Sequence, residues 1–376
     1  MFEADGRLLE AHGHTVVRYE RHNDAVAGMS ALRAAASTFW NREAHAEIGR
    51  LVTAHGIDVA HFHNTLPLVS PAGYYAARKA GAAVVQTLHN YRLVCPGNTL
   101  FRDGAPCESC VGKRFAFDAV RHACYRNSRG ATAAVAAMTT AHWRAGTWDH
   151  AVDRYIAITD FAHAVFVRGG LPPEKLAVKP NFLSEDPGAG EGGGGFALFV
   201  GRLDRPKGMG TVLAAWALDP SLPPLVVVGD GDMGAEVEAA AGADPRIRFL
   251  RWQSHAAVLD LMRRADALLF MSEWYEGGTP MTLVEAAACG LPVVASDHGT
   301  MATMIEPGVN GVRVPARQPA ALAACVSDLF GDPVRLAALR AGARRAYDRL
   351  YSAEANYPQL LAIYDAALRE RHGHAA

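Results

Sequence analysis

Strand-like and helix-like segments alternate along nearly the whole chain, and this alternation limits its fold more than any other feature of the sequence. Before residue 180, the runs IDVAHFHN, AAVVQTLHN and RYIAITD predict strands, while SPAGYYAARKAG and FAHAVFVRGG predict helices. After residue 195, FALFVGRL, PLVVVGDG and ALLFMS predict strands that alternate with the helical segments MGTVLAAWAL and AVLDLMRRAD. Such alternation predicts α/β domains, each with a parallel sheet that has helices on both faces.

A glycine-rich segment divides the two series. Residues 184–195, SEDPGAGEGGGG, contain nothing that could form a core, so they predict a linker or a mobile loop. The 376 residues are enough for two domains, and we therefore predict an N-terminal domain at 1–183 and a C-terminal domain at 196–351. Ligands of open parallel sheets bind outside the carboxyl ends of the strands, so a cleft between two such domains is the expected site.

The beginning of the chain departs from this pattern. The opening MFEADGRLLEAHGHTVVRYE predicts a helix, a glycine turn and then a strand over TVVRYE. A parallel α/β domain ordinarily opens with a strand and a glycine-containing turn before its first helix. The first strand of the N-terminal domain is therefore expected to be missing, either because the domain lacks it or because the start codon has been placed too late.

Charge and hydropathy exclude several functional classes. The net charge of −1 gives no general attraction to nucleic acid, so we expect no nucleic-acid partner. No apolar run approaches the roughly 20 residues of a membrane-spanning helix, and because the opening residues are charged we expect no signal peptide. We therefore expect a cytoplasmic protein whose six cysteines lie in a reducing compartment.

The segment EGGTPMTLVEAAACG, residues 276–290, has the composition of a loop that leads into a helix. Thr279 is a good N-cap, Pro280 fits the first helical position and Gly290 fits the helix end. Helix N-termini attract phosphate, and the carboxylate of Glu285 can accept hydrogen bonds from sugar hydroxyl groups. The segment therefore suggests a ligand with phosphate and hydroxyl groups, although an ordinary loop-to-helix junction would have the same composition.

Four segments follow one another in the C-terminal half of the chain, namely FVGRLDRPKG, VVVGDGDM, RADALLFMSEWYEGGTPMTLVEAAACGLPVVAS and MIEPGVNGVRV. Through these segments, residues 196–312 resemble the C-terminal half of retaining, nucleotide-sugar-dependent glycosyltransferases of family four, the glycosyl transferases group 1. Before them, AHFHN, QTLHNYRLVCPG and RYIAITD followed by VKPNF carry the resemblance, and YPQLLAIYDAAL extends it nearly to the C-terminus. It implies the GT-B fold, with two Rossmann-like domains facing across a cleft and a last helix, at about 352–372, that packs back on the N-terminal domain.

The resemblance also implies the reaction. Such a hexosyltransferase-type enzyme transfers a sugar from a nucleotide-diphosphate sugar to a hydroxyl group of a glycan or a lipid-linked acceptor, with retention of the anomeric configuration. Fixed cations would stabilise the leaving diphosphate, so we expect no metal or other cofactor for catalysis. Two alternatives stay open, namely a nucleotide-sugar epimerase of the GT-B fold and a truncated, non-catalytic relative.

The positions that match the family's motifs give a candidate donor site. Arg202 and Lys207 match its diphosphate-binding pair, Glu285 matches a glutamate on the ribose hydroxyls, and Glu276 matches a glutamate near the donor sugar. Eight residues, rather than the family's usual seven, separate the two glutamates, so either the loop carries one extra residue or Glu276 is not the equivalent position. The implied donor-binding residues are Gly201, Arg202, Lys207, Glu276, Gly277, Gly278, Thr279, Pro280 and Glu285.

Histidines in the N-terminal half give the other side of the site. His89 matches a family histidine near the sugar being transferred, so it could hydrogen-bond the donor sugar or steady the charge of an oxocarbenium-like transition state. His63 and Asn64, at the end of the preceding strand, either shape the acceptor side or have a structural role. The implied catalytic residues are His89, Glu276, Arg202 and Lys207.

Two patterns suggest metals. Cys107 and Cys110 have the spacing of a metal knuckle, and Cys95 and Cys124 could complete four thiolates around a structural zinc ion; a disulfide and free thiols are the alternatives. The Asp-x-Asp pattern at 230–232 binds a divalent metal in another glycosyltransferase fold, but here it follows VVVG, where the family has a tight turn.

The stretch GKRFAFDAVRHACYRNSRG is rich in basic residues with aromatic residues between them. Its five basic residues stand against one acidic residue, and such a stretch could face an anionic membrane surface or a lipid diphosphate. That reading would place the protein peripherally on the inner face of the membrane, whereas a solvated helix face would have the same composition. The basic residues are Lys113, Arg114, Arg121, Arg126 and Arg129.

Overall fold

The computed structural model describes residues 1–22, 24 and 28–373, which form two compact units. The first unit comprises Met1–Arg102, Cys107–Pro180 and the chain from Tyr357 onward, and the second comprises Asp103–Pro106 and Asn181–Asn356. The first unit therefore gives way to the second after Pro180, whereas the sequence predicted this boundary at 183. The chain re-enters the first unit within its last helix.

Helices and strands alternate as the sequence predicted. The helices are α1 (Phe2–Ala11), α2 (Ala31–Phe39), α3 (Arg42–His55), α4 (Ala72–Lys79), α5 (Phe117–Arg121), α6 (Arg129–Arg144), α7 (Thr147–His150), α8 (Asp160–Arg168), α9 (Met209–Leu218), α10 (Gly234–Ala243), α11 (His255–Arg264), α12 (Met281–Ala288), α13 (Gly299–Met304), α14 (Pro319–Phe330), α15 (Pro333–Leu350) and α16 (Ala353–Gly373). The strands are β1 (Val59–His63), β2 (Ala83–Leu88), β3 (Phe101–Arg102), β4 (Ala105–Pro106), β5 (Arg154–Ala157), β6 (Leu176–Val178), β7 (Ala197–Val200), β8 (Leu225–Val228), β9 (Ile247–Phe249), β10 (Ala267–Phe270), β11 (Val293–Ser296) and β12 (Gly311–Val314).

The first unit is built on a four-stranded parallel sheet in the order β1-β2-β5-β6. All residues of β2 are buried, because β1 and β5 flank it and its apolar side chains point into the core from both faces. α16 contributes to this core. The buried cluster that it joins contains Ala83, Val85, Ile156, Ile158, Leu360, Ile363 and Ala367. Since both neighbouring strands β1 and β2 end at the same edge, the residues that follow them are brought together there.

The prediction of a strand over TVVRYE was wrong. Residues 14–20 have no regular secondary structure, and Arg18 is instead held by the side chains of α1. Its guanidinium group donates to both carboxylate oxygens of Glu10, over 2.6 and 2.8 Å, and lies 3.3 Å from Glu3. A strand exists only through its ladder partner, and none of the strands in the described part of the first unit pairs with this segment.

The second unit is built on a six-stranded parallel sheet in the order β12-β11-β10-β7-β8-β9. Side chains on a strand point alternately to its two faces, and in β10 Leu269 enters one hydrophobic core while Leu268 and Phe270 enter the other. β8 alternates in the same way. The two faces of the sheet therefore pack against helices through two hydrophobic cores. The parallel strands β7 and β10 are neighbours, so their carboxyl ends lie side by side. Among the helices of the described residues, none is both long enough and apolar enough to cross a bilayer.

The predicted linker is packed against the second unit rather than mobile. The carboxylate of Asp266 accepts hydrogen bonds from the backbone N–H groups of Gly193, over 2.6 Å, and Gly195, over 2.7 Å. At Gly190, a Cβ atom would overlap the backbone of Arg263. The glycines are needed because the segment runs so close to α11, which explains a composition that the sequence alone associates with flexibility.

Candidate functional site

Lys207 lies in a 3-10 turn after β7, and this turn packs on the loop that follows β10. The backbone N–H of Glu273 donates to the carbonyl oxygen of Pro206 over 2.7 Å. At Gly208, where φ is 77°, a Cβ atom would overlap the carbonyl oxygen of Met271. Because only glycine fits this left-handed position so close to the neighbouring backbone, the sequence PKG brings Lys207 to the carboxyl end of β10.

One carboxylate oxygen of Glu276 collects three hydrogen bonds. Its Oε1 accepts from Lys207 Nζ over 2.7 Å, from Ser272 Oγ over 2.5 Å and from Trp274 Nε1 over 3.0 Å. The Lys207 ammonium also lies 5.4 Å from the ring centre of Trp274 and 5.6 Å from that of Phe270. Only 19% of the Lys207 side chain and 8% of the Glu276 side chain are exposed, so this is a largely desolvated ion pair with a fixed geometry.

The backbone of Glu276 is also unusual. Its φ of 57° lies in the left-handed region, which costs a residue other than glycine about 1–3 kcal/mol. Gly277 and Gly278 follow it and are partly exposed. The three hydrogen bonds to the carboxylate hold the residue in this conformation, so Glu276 has a defined place in the site. Its proposed equivalence to the family's donor-sugar glutamate stays a prediction.

Arg202 has a different environment from Lys207. Its side chain is 73% exposed, and its guanidinium group forms an ion pair with Asp204, with a nitrogen-to-oxygen distance of 2.9 Å. Gly201 precedes it at a close contact between strands, where a Cβ atom on Gly229 would overlap the carbonyl oxygen of Gly201. In the described residues Arg202 does not join the network around Lys207, so the two cations predicted to act as a pair are held differently, and the role of Arg202 stays a prediction.

The start of α12 differs from the expectation. Pro280 has a ψ of 121° and is itself the N-cap, so Thr279 is not the N-cap and Pro280 is not the first helical residue. The hydroxyl group of Thr279 instead accepts a hydrogen bond from the backbone N–H of Asn181 over 3.3 Å. Proline cannot cap with a side chain, so α12 begins without a side-chain cap. Gly290, with a φ of 66°, follows the helix end as predicted.

Glu285 lies in the second turn of α12 and has a partner that the sequence did not suggest. The imidazole of His255, the first residue of α11, donates from Nε2 to Oε1 of Glu285 over 2.9 Å. The His255 ring is 68% exposed, whereas the Glu285 side chain is 15% exposed. A carboxylate and an imidazole at this surface can together bind a vicinal pair of hydroxyl groups, since the carboxylate accepts and the ring can donate or accept.

Three histidines converge at the carboxyl ends of β1 and β2 in the first unit. Nδ1 of His63 lies 2.8 Å from Nε2 of His89, and the two rings are stacked with centres 5.0 Å apart. His61 is hydrogen-bonded elsewhere, with Nδ1 2.8 Å from the Tyr364 hydroxyl and Nε2 2.7 Å from Thr87 Oγ1. The structure therefore brings together two residues, His63 and His89, that the sequence had assigned to different roles.

Two buried charged residues complete this cluster. Oδ2 of Asp5 lies 3.7 Å from Nε2 of His63, and Oδ1 of Asp5 lies 3.4 Å from the ammonium group of Lys179. Both charged side chains are almost wholly buried. Sequence reasoning missed Asp5 and Lys179, because they lie far apart in the chain and no local motif links them to the histidines.

Burial keeps the histidines neutral. It lowers the pKa of His61 to about 3, that of His89 to about 4 and that of His63 well below its ordinary value. The charge of Lys179 acts in the same direction on all three rings. At neutral pH each imidazole therefore has one N–H group and one bare nitrogen, so the rings can form hydrogen bonds in both senses but carry no positive charge.

The second acceptor-side candidate lies next to this cluster in the chain. Asn64 has a left-handed backbone, with a φ of 48°, and its Oδ1 accepts a hydrogen bond from Nδ2 of Asn90 over 3.2 Å. This hydrogen bond joins the loop after β1 to the loop after β2, so Asn64 contributes to the structure of these loops. A role of His63 and Asn64 toward an acceptor stays a prediction.

The loop that contains Cys95, Cys107, Cys110 and Cys124 has free thiols. All six cysteines are free, and within the described ranges no group of three or more histidine, cysteine or acidic side chains is arranged to hold a metal ion. Cys110 and Cys124 share a small apolar cluster, and burial raises the pKa of Cys110 to about 11. Neutral thiols suit such packing. A structural zinc ion bound by Cys95, Cys107, Cys110 and Cys124 stays a prediction.

The basic stretch exposes aromatic rings. Phe117 is 65% exposed and Phe115 is 41% exposed. Lys113, which precedes both rings in the sequence, is paired with Asp118 over 2.6 Å. The other basic residues of the stretch lie at the surface. Exposed aromatic rings thus lie in a basic stretch, and the contact of this stretch with a membrane stays a prediction.

Known proteins of similar sequence act on sugars and inositols. A family described as "Glycosyl transferases group 1" matches residues 195–332. A D-inositol 3-phosphate glycosyltransferase of Catenulispora acidiphila is 28% identical over 86% of this chain and 76% of the relative. A phosphatidyl-myo-inositol mannosyltransferase of Mycobacterium leprae is 33% identical over 58% of this chain and 60% of the relative.

Solved structures show the same architecture at low sequence identity. HepE of Anabaena in complex with UDP-glucose has a TM-score of 0.60 and 16% identity, covering 96% of this chain and 89% of that chain. Sucrose-phosphate synthase of Thermosynechococcus elongatus has a TM-score of 0.64 and 18% identity, covering 96% and 90%. These likenesses show the fold.

Proposed function

Because the chain is a GT-B glycosyltransferase of the glycosyl transferases group 1, we propose that it transfers a hexosyl group from a nucleotide-diphosphate sugar to a hydroxyl acceptor with retention of configuration. The observation that carries this proposal is the buried pair of Lys207 and Glu276 at the carboxyl ends of two neighbouring parallel strands. Ligands of such sheets bind at that edge. A positioned ammonium group there suits an anionic leaving group.

Leaving-group stabilisation is assigned to the protein's own cations. As the bond between the sugar and the diphosphate breaks, negative charge grows on the phosphate oxygens, and a fixed ammonium group lowers the barrier more than a mobile one. Glu276 fixes Lys207, while the exposed Arg202 can swing onto the diphosphate as the donor binds. We therefore propose catalysis without a metal ion or another cofactor.

The nucleoside is assigned to α12 and α11. Glu285 would accept hydrogen bonds from the ribose hydroxyls, and His255 would hold the carboxylate in place or bind the second hydroxyl. The backbone N–H groups at the uncapped start of α12 would face the diphosphate. HepE of Anabaena was solved in complex with UDP-glucose, so a uridine nucleotide is one of the donors to be tested.

The transferred sugar is assigned to His89, and retention follows a same-face reaction. A neutral imidazole cannot repel the positive charge of an oxocarbenium-like transition state, and it can hydrogen-bond a sugar hydroxyl. In same-face attack, the leaving phosphate takes the proton of the acceptor hydroxyl while the new glycosidic bond forms. No side chain then needs to act as the general base, which agrees with histidines that are neutral and buried.

The acceptor is proposed to be a glycan or a lipid-linked compound with a free hydroxyl group and a nearby negative charge. Two relatives are named for inositol acceptors that carry phosphate. The exposed ring of Phe117 and the basic residues around it would suit a peripheral contact with an anionic membrane. We therefore propose that the protein works at the cytoplasmic face of the membrane.

A nucleotide panel tests the donor site first. UDP, GDP and ADP are added to the purified chain in the presence of a chelator, and thermal unfolding is followed. A ligand at one hundred times its Kd stabilises the folded state by about 2.7 kcal/mol, so one nucleotide is expected to raise Tm clearly. Lys207→Met should abolish the shift, while Arg205→Met, which removes an exposed cation from the same turn, should keep it.

Product analysis tests the reaction. With the sugar form of the nucleotide selected by the panel and a phosphorylated polyol acceptor, the proposal predicts free nucleotide diphosphate and a glycoside with the donor's anomeric configuration. An isomerised nucleotide sugar without transfer would identify an epimerase. Binding of the nucleotide with neither product, across all donors and acceptors, would contradict the proposed function.

A further inference from the structure

The first unit contains a chain of polar contacts that ends on His89. Lys179 contacts one oxygen of Asp5, the other oxygen of Asp5 faces Nε2 of His63 at 3.7 Å, and Nδ1 of His63 lies 2.8 Å from Nε2 of His89. The side chains of Asp5 and Lys179 are 7% and 3% exposed. His61 does not compete for His63, because both of its own ring nitrogens have partners.

The order of these contacts decides where the protons lie. Burial raises the pKa of Asp5, while the charge of Lys179 and the hydrogen bond from its ammonium group act in the opposite direction and favour the carboxylate form. The contact between Asp5 and Lys179 is that of an ion pair, so Asp5 is assigned as the carboxylate. A carboxylate repels a nitrogen lone pair and attracts an N–H group, so the proton of the neutral His63 ring belongs on Nε2, toward Asp5. Nδ1 of His63 is then bare and can only accept. The 2.8 Å contact therefore requires that His89 donates from Nε2.

We propose that Asp5, acting through His63, fixes the Nε2–H tautomer of His89 and leaves Nδ1 of His89 as an acceptor for a hydroxyl group of the bound sugar or acceptor. In the part of the chain that the structure describes, the His89 ring has no hydrogen bond besides the one to His63. Asp5 and His63 are thus positioning residues, and the use of the Nδ1 lone pair by a substrate rests on the proposed function.

The arrangement resembles the logic of a carboxylate that orients a histidine through its second nitrogen. Here a second imidazole stands between the two, and the tautomer of one ring sets the tautomer of the next. The histidines stay neutral, because burial disfavours their charged forms. Since burial keeps the ring of His89 uncharged, the contact with His63 decides only which of its two nitrogens carries the proton. Nδ1 of His89 can therefore accept a hydrogen bond from a hydroxyl group of the substrate, but it cannot donate one to a carbonyl group.

The substitution Asp5→Asn is expected to give His89 the opposite tautomer. The amide oxygen of the new side chain has to face Lys179, because an ammonium group only donates, so the amide NH2 group faces Nε2 of His63. Nε2 must then accept, the proton moves to Nδ1 of His63, and Nε2 of His89 becomes the acceptor. His89 should therefore switch to the Nδ1–H tautomer in this variant.

The first experiment is nuclear magnetic resonance of the full chain with 15N-labelled histidine at neutral pH, without substrate. Two-bond correlations distinguish the two tautomers, and His89→Gln assigns its signals among the 16 histidines. We expect His89 as Nε2–H in the native protein and as Nδ1–H in Asp5→Asn. An Nδ1–H signal in the native protein, or an unchanged His89 tautomer in folded Asp5→Asn, would overturn the proposal.

Asp153→Asn is the matched control. Asp153 is also buried and paired, with Arg78, but it accepts from the Val84 backbone and contacts no histidine. It should lose stability as Asp5→Asn does and keep the native His89 signals. Only Asp5→Asn should lower kcat, by about tenfold or more, while the donor KM changes little. A native protein that transfers no sugar would defeat the proposed function but would still show the tautomer, so the two failures are separable.

Discussion

The ammonium group of Lys207 lies 2.7 Å from Oε1 of Glu276, and the same oxygen also accepts hydrogen bonds from Ser272 and Trp274. The two residues that the sequence assigned to different parts of the donor are therefore one unit. A donor diphosphate that approaches Lys207 meets a cation already aligned by a carboxylate. Any change to Glu276 will alter the cation as well as the contact predicted for the sugar.

This coupling predicts non-additive stability. Removing one member of a desolvated pair leaves the other charge unpaired, which costs about 3–5 kcal/mol in buried examples. Lys207→Met and Glu276→Gln should each destabilise the second unit, and the double variant should lose clearly less than the sum of the two. Urea unfolding of all four proteins measures this. Additive losses would mean that the contact does not contribute in solution.

Lys207 should be the main cation of the donor site. Lys207→Met is expected to weaken nucleotide-diphosphate binding by about a hundredfold, the size of one lost transition-state or phosphate contact of 2.7 kcal/mol. Binding of the free nucleoside should hardly change, since it has no phosphate. Isothermal titration measures both. Arg205→Met provides the control, because that cation lies in the same turn but is exposed and paired only loosely with Glu236.

Glu285 should read the ribose. Glu285→Gln keeps the size of the side chain but removes the charge that attracts hydroxyl protons, and we expect about a tenfold loss of affinity for the nucleotide. The native protein should prefer the ribonucleotide over its 2′-deoxy form, and the variant should bind the two nearly equally. If Glu285→Gln keeps the full preference, the ribose lies elsewhere. His255→Gln, which retains a hydrogen-bond donor toward Glu285, should preserve most of it.

Stability should fall on the acid side because of the buried histidines. Folding lowers the pKa of His61 to about 3 and of His89 to about 4 from an unfolded value near 6.5. The unfolded state then binds more protons between those values, so the free energy of unfolding decreases as pH falls below about 6.5. The slope is about 1.4 kcal/mol per pH unit for each such histidine.

Two variants check this origin of the slope. His89→Gln should make the dependence of the unfolding free energy on pH shallower by about one proton between pH 4.5 and 6. His372→Gln removes an exposed histidine near the end of α16 and should leave the slope as it is. Equal slopes in all three proteins would show that His89 titrates normally in the folded state.

The basic, aromatic stretch should bind anionic vesicles. Sedimentation with phosphatidylglycerol vesicles should bring the protein down at low salt, less so at high salt, because each basic residue near the surface contributes about 1 kcal/mol. Phe117→Ser should weaken binding further by removing an exposed ring. Val334→Ser, at a still more exposed apolar side chain of the second unit, should have no effect. Binding that is equal for neutral vesicles would argue against this surface.

The fold was largely predictable, since apolar runs and glycine turns are local signals. β10 is buried throughout, as the run ALLFMS indicates. The segment TVVRYE has the same local pattern and forms no strand, because strand formation depends on a partner that a local pattern does not contain. The glycine-rich segment failed for a related reason, since composition cannot distinguish flexibility from close backbone packing.

The site was predictable in its residues but not in its contacts. His63 and His89 end neighbouring parallel strands, so their meeting could have been inferred from the order β1-β2. Lys207 and Glu276 belong to recognisable motifs, yet nothing in either motif shows that they pair. Asp5 and Lys179 carry no motif at all, and only the folded chain brings them to the histidines.

The packing of the glycine-rich segment has a practical consequence for protein engineering. A stretch such as GAGEGGGG looks like the tether with which fusion partners are joined, and it invites the insertion of a tag, a protease site or a fluorescent domain. At Gly190 even a methyl group would collide with the backbone of Arg263, and Asp266 holds the amides of Gly193 and Gly195. An insertion there would unseat the start of β10, which leads directly to the loop that bears Glu276.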